Sequence, residues 1–260
     1  GACEDFSTLF SVDYFGKRAF LIQTGQQHLE PFIYGPMPKV YAFNQSYRAE
    51  TRAPERRLTA FLLIEAEAAN YTLADIQDVQ ERLIHKLCKD VLLQRKDDLQ
   101  ILGADLSKLT KLKSPFKRIR YTEAIEQLKK LGYSVQIGDD LMSEHEKALG
   151  EKVGQPFFVS HYPASIKFFN MKNDPEDSNL VLSSDLLLPG YGEAIGSSER
   201  EDDYTKLTEK LRRFGKDEKR IQDMQNIGIN NGDELIEIYK WYLDLRKAHQ
   251  VPHSGFGLGF

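Results

Sequence analysis

Two runs of alternating residues, KVYAFNQSYR (39–48) and TAFLLIEAEAA (59–69), flank a short loop carrying Arg52, Glu55, Arg56 and Arg57. A period of two marks half-buried strands, so the pair reads as an antiparallel hairpin with a charged tip. AFLIQT (19–24) is a third strand candidate, and QTGQQHLEPFIYG after it sets Leu29, Phe32 and Ile33 at the spacing of a short helix. At NYT (70–72) the period changes. Thr72 is placed to cap a helix with Asp75 three residues on, and Ile76, Val79, Leu83 and Leu87 form one apolar face.

Beyond that helix, QRKDDLQILGADLSKLTKLKSPFKRIR (94–120) is charged and poorly periodic as far as Pro115, which predicts a surface connection. TEAIEQLKKLG (122–132) predicts a short helix capped by Thr122 and ended by Gly132. QPFFVSHYP (155–163) and SIKFFNMK (165–172) read as a strand pair. LVLSSDLLLPGYGEAIGSSERE (180–201) is an apolar run broken by glycines, residues 202–240 are charged and helix-forming, and SGFGLGF (254–260) alternates glycine with apolar residues. Strands, helix, strands, helices and a glycine strand are the order of an α+β domain on an antiparallel β-sheet flanked by helices. No GxGxxG or GxxxxGK[ST] motif is present, so neither a dinucleotide-binding nor a P-loop fold is expected.

Of 260 residues, 41% are apolar and 11% aromatic, enough for a substantial core. The net charge of -4 excludes a wholly basic nucleic-acid module, so any anion site must be local. Cys3 and Cys88 have no metal-ligand spacing and make no disulfide framework, which predicts a reducing compartment; a cytoplasmic setting is expected, with an organelle left open. No stretch is long and apolar enough to span a membrane, and GACEDFSTLF is neither a signal nor a transit sequence.

Three stretches carry chemistry. Arg48, Glu50, Arg52, Arg56 and Arg57 beside Phe61 would suit a nucleotide, because arginine forks pair with phosphate and an aromatic face accepts a base. The same residues read equally well as a solvated turn of Arg–Glu pairs. Glu193, after the bend LPGYG, could hold magnesium with Asp185, or pair with an arginine of the hairpin. Closely spaced glycines in PHSGFGLGF mark a close approach of ligand or backbone; His253 beside them reads first as a structural histidine.

In this order the stretches resemble the signature motifs of the class II aminoacyl-tRNA synthetases, and in detail the asparaginyl branch. YRAE, the basic turn, RRLTAF and IEAE are similar to the second motif, and PHSGFGLGF to the start of the third. GDDL, SEHE, SIKFF, LLPGYGE and WYLDLRK fall in register as well. The resemblance implies one catalytic domain over residues 1–260, without the first-motif helix, the end of the third motif or an anticodon-binding domain. It implies ATP-dependent activation of asparagine to the adenylate and transfer to tRNA(Asn), by a homodimer using Mg²⁺. A tRNA-independent ligase of the same fold and a non-catalytic paralogue remain the alternatives.

Residue by residue, the resemblance puts Arg48 on the α-phosphate and the attacking carboxylate. It puts Phe61 on adenine, Glu50 at the adenine end, and Arg56 and Arg57 on the phosphates, with Arg57 where the family usually has histidine. Glu193 and Asp185 would hold Mg²⁺, and Glu4 would belong to a loop closing on the substrate ammonium. Gln26 and Arg246 would line the amino-acid pocket, and Leu29 stands where aspartate enzymes carry a lysine. The chain departs from the family's pattern at Asp5, Phe6, Ala60, Ser197, Ala248 and His249.

Overall fold

The computed structural model describes residues 3, 5–50, 58–110 and 112–260. A small hairpin of β1 (Ser11–Tyr14) and β2 (Lys17–Phe20) leads into α1 (Gln26–Ile33), β3 (Lys39–Tyr47), β4 (Ala60–Ala69) and α2 (Leu73–Gln94). Short helices α3 (Lys96–Ile101) and α4 (Leu106–Thr110) precede β5 (Lys117–Arg120), α5 (Tyr121–Lys130), α6 (Ser143–Val153) and β6 (Phe157–Ser160). A hairpin of β7 (Ser183–Leu188) and β8 (Gly192–Glu199) follows, then α7 (Tyr204–Phe214), α8 (Glu218–Asn226), α9 (Gly232–Ile238), α10 (Lys240–Ala248) and β9 (His253–Gly259).

The main sheet has the order β3-β4-β9-β8-β7-β6-β5, so the last strand in sequence lies between the two hairpins. Every pairing is antiparallel except β5 with β6. That parallel pair follows from the connection between them: α5 and α6 return the chain to the same end of the sheet before β6 begins.

Helix α2 covers one face, its Leu73, Ile76 and Ile84 packing with Phe158, Leu186, Ile195, Phe256 and Leu258. Helices α5 and α6 cover the opposite face only at the β5–β7 end, through Ile125, Leu128 and Leu149 against Phe157, Val159 and Leu187. Burying each such side chain contributes about 1.5–3 kcal/mol. A third cluster joins α7, α9 and α10 through Leu207, Leu211, Leu235 and Tyr242, with Phe6 and Phe169 packed in. Among the described residues, the second face over β4, β9 and β8 is left partly open, with α1 packed against one side of it.

Thr72 caps α2 as its sequence predicts: its hydroxyl oxygen accepts from the Asp75 N–H, and Asp75 accepts from the Thr72 N–H in return. Four expectations need correction. Strand geometry near residues 19–24 is confined to β2. Residues 165–172 form turns with an isolated bridge from Met171 to Arg200, because Phe169 enters the helical cluster and Lys167 turns to Asp185. Helix α5 begins at Tyr121, and the cap position is Arg120 with no side-chain bond; β5 runs straight into the helix and buries Tyr121. The connection before Pro115 contains α3 and α4, which bury no residue and so leave no apolar period to read.

Candidate functional site

The open face is shaped by β9. Gly255, Gly257 and Gly259 pair in register with Glu67, Glu65 and Leu63 on β4, and Gly255 and Gly257 with Ser198 and Gly196 on β8. Register partners share a face, so β9 presents a strip without side chains between two walled strands. Phe256 and Leu258 point the other way, under α2. A Cβ at Gly259 would lie 3.9 Å from the Phe61 ring, and one at Gly257 would lie 3.8 Å from Glu65 Cγ. The result is a trough with Phe61 at one end and carboxylates along its side.

At the Phe61 end, the Arg48 guanidinium lies 5.4 Å from the ring centroid, just past the end of β3. Its charge also reaches Glu193 and draws that carboxyl's pKa down. Glu193 arrives there by a register shift. Asp185 pairs with Gly196 and Leu186 with Ile195, but Leu187 pairs with Glu193, leaving Ala194 as an extra residue. The bulge swings Glu193 onto the face of Asp185 and Gly196, where regular alternation would have sent it toward α2. A Cβ at Gly196 would meet Glu193 Oε1 at 2.9 Å and Asp185 Oδ1 at 3.7 Å, so glycine leaves the space on which both carboxylates converge.

The charge of Asp185, followed by burial, pushes the Glu193 carboxyl up to about 8. Glu193 is exposed at the trough surface, so water moderates this push. Two convergent carboxylates over an empty glycine position are hard oxygen donors of the kind Mg²⁺ takes with substrate phosphate, and they fit such an ion. Lys167 and Glu146 flank them. Lys167 Nζ lies 2.9 Å from Asp185 Oδ2 and 3.9 Å from the Tyr162 ring centroid. Glu146 Oε2 accepts from the Glu193 N–H at 3.0 Å and fixes the turn from which Glu193 projects.

The other end of the trough is closed by a buried charge network. Glu30 on α1 accepts from Arg246 Nη2 and from the Tyr242 hydroxyl at 2.7 Å, with His253 Nε2 at 3.1 Å. Burial pushes the Glu30 carboxyl up, but Arg246 and His253 pull it down further, to about 2. Beside it Glu67 accepts from Arg200 Nη2 at 2.6 Å, and Arg200 Nη1 donates to Ser198 Oγ at 2.7 Å. Glu30, Glu67 and His253 offer ligand atoms within 4.8 Å of one another, yet each carboxylate already has its arginine, so the group reads as a compensated network. Between the two ends, Glu65 accepts from Thr24 Oγ1 and from the Gly25 N–H at 2.7 Å, holding the start of α1 against the trough.

The family model described as "tRNA synthetases class II (D, K and N)" matches residues 1–260. The chain belongs to that class II synthetase family. It is 44% identical over 260 residues to an asparagine–tRNA ligase of Pyrococcus furiosus, covering all of this chain and 56% of that protein. The corresponding ligase of Desulforamulus reducens is 41% identical over 259 residues, with 99% and 56% covered. The fold superposes with a TM-score of 0.88 and 44% identity on asparaginyl-tRNA synthetase from Pyrococcus horikoshii complexed with asparaginyl-adenylate, over all of this chain and 56% of that one. The asparaginyl-adenylate complex of the Entamoeba histolytica enzyme gives 0.80 at 30% identity, with 100% and 56% covered. The chain thus spans about half the length of these relatives.

Within this synthetase domain, Arg48, Phe61, Asp185 and Glu193 come together at one end of the trough. Glu50 lies two residues after Arg48, half-buried. Glu4, Arg56 and Arg57 lie outside the described residues. Gln26 and Arg246 meet through Glu30: Gln26 donates to it and accepts from Asn170 Nδ2 at 3.0 Å. The Arg246 side chain is 0% exposed, so this guanidinium faces Glu30 and the carbonyls of Glu201 and Tyr242 from beneath the trough. Glu30, Glu67, Arg200, Lys167 and Glu146 were not singled out from sequence. For Glu67 a signal existed: IEAE sets two acids two apart in an otherwise apolar strand, which puts both on one buried face.

Proposed function

We propose that the trough activates asparagine with ATP to give asparaginyl-adenylate and pyrophosphate, and that the whole protein transfers the asparaginyl group to tRNA(Asn). The observation that carries this reading is the convergence of a cation, an aromatic face and an acid pair on one glycine-floored trough. A nucleotide needs those three kinds of group, and the similarity to asparagine–tRNA ligases supplies the amino acid.

In the reaction an asparagine carboxylate oxygen attacks the α-phosphorus, and the bond to pyrophosphate breaks with its electron pair on the leaving oxygen. Arg48 offsets charge on both the carboxylate and the α-phosphate, and such preorganised charge costs no reorganisation as the reaction proceeds. Phe61 stacks on adenine, Gly257 and Gly259 let the ligand approach the backbone, and Glu50 serves the adenine end. Arg56 and Arg57 take the phosphate tail, and Glu4 the substrate ammonium. Gln26 and Arg246 act on the amino-acid end by fixing Glu30. Asp185 and Glu193 would hold Mg²⁺, which would neutralise charge on the phosphates. A homodimer in the cytoplasm belongs to the same reading.

Amino-acid-dependent ATP–pyrophosphate exchange on the full-length protein tests this. Exchange with asparagine, none with aspartate, and loss in Arg48→Ala are expected. Exchange driven by aspartate instead, or unchanged in Arg48→Ala, rejects the reading.

A further inference from the structure

Asp185 divides its two oxygens. Oδ1 faces the Gly196 space that it shares with Glu193, whereas Oδ2 is held by Lys167 Nζ at 2.9 Å. The Lys167 side chain is only 17% exposed and its ammonium rests on the Tyr162 ring, so the cation is built in and does not wander in solvent. A lysine fixed there works against any second cation. Once Glu193 has given up its proton to a metal, Lys167 offsets one of the two negative charges that Glu193 and Asp185 then present.

We propose that Lys167 makes divalent-cation binding at Asp185 and Glu193 conditional on the nucleotide. Its ammonium lowers the attraction of the bare site, so the triphosphate must bring the remaining negative ligands and the metal enters with it. A site of one or two carboxylates plus phosphate is the usual arrangement for Mg²⁺. Lys167 sets how strongly the protein alone contributes. The inference rests on the metal-holding role given above to Asp185 and Glu193.

The test is Mn²⁺ affinity of the full-length protein, read without ATP from the free-ion electron paramagnetic resonance signal and with ATP from the excess Mn²⁺ on the protein side of an equilibrium dialysis. Wild type is expected to bind weakly alone and tightly with ATP. Lys167→Met, which keeps the stem on Tyr162 and removes the charge, should bind Mn²⁺ without ATP at least about tenfold more tightly. Lys167→Arg should behave as wild type, and adding Asp185→Asn to Lys167→Met should remove the gain. Lys167→Gln gives the same reading should the Met variant not fold. A folded Lys167→Met or Lys167→Gln that binds Mn²⁺ no better than wild type without ATP overturns the proposal while leaving the metal site standing. Wild type that binds no Mn²⁺ even with ATP, or Glu193→Gln that binds it as wild type does, overturns both.

Discussion

In the proposed reaction Arg48 and Phe61 would do different work although the guanidinium lies only 5.4 Å from the ring centroid. On the proposed reading, removing the Arg48 charge takes away stabilisation that grows as the phosphate reacts, so Arg48→Ala should lower the exchange rate by roughly 10²-fold or more. Phe61→Ala removes a stacking face worth about 1–3 kcal/mol and should act mainly on the KM for ATP. Steady-state kinetics in ATP separates the two, and equal losses in KM and kcat for both variants would contradict this division. Two carboxyls give opposite pH signatures. Glu30, held at about 2 against an ordinary 4.5, contributes stability that is present above pH 4.5 and lost as pH falls toward 2. Glu193, raised from 4.5 to about 8, favours the folded state below pH 4.5, and that contribution is lost as pH rises through 8. Glu193→Gln should therefore flatten the decline of Tm between pH 5 and 8 in the metal-free protein, a range tied to that shift. An unchanged slope would mean that Asp185 does not press on Glu193 as described.

Elements with a strong period were readable, and those without one were not. Helix α2 was legible because its cap and its apolar stripe agree. Thr72→Ala should cost about 1 kcal/mol, measurable by urea unfolding, with no effect on the trough across the sheet. The β3–β4 hairpin and the glycine strand were legible from alternation and glycine spacing, whereas residues 180–201 show in sequence only an apolar run with a glycine bend, and their pairing as β7 and β8 comes from the fold. The bulge at Ala194 was not, since nothing in LPGYGEAIG says which residue the ladder will leave unpaired. Residues 165–172 misled because Phe168 and Phe169 resemble strand residues, yet Phe169 packs among helices and the backbone follows it. Helix α6 buries only His145, Leu149 and Gly150, too sparse a stripe to stand out, although its Glu146 fixes the Glu193 turn.

At the scale of the molecule, the site is a consequence of strand order. β9 comes last in the chain and is inserted between β4 and β8, which brings its glycines between Glu65 and Glu67 on one side and Gly196 on the other. Sequence motifs named the Phe61 end of the trough; the closed end depends on Glu30 of α1, Glu67 of β4, Arg200 just past β8 and Arg246 of α10, which meet only in the fold. Local patterns point to Glu67 and Arg246 one at a time, but no local pattern shows which charges they meet. For the proposed reaction, the trough must therefore be where the adenylate binds. Gly257→Val is the direct probe, because a Cβ there has no contact closer than 3.8 Å and should spare the fold while filling the floor. Calorimetric titration with a non-hydrolysable asparaginyl-adenylate analogue should show binding to wild type in preference to the aspartyl analogue, and no binding to folded Gly257→Val. Undiminished binding to that variant would contradict the account.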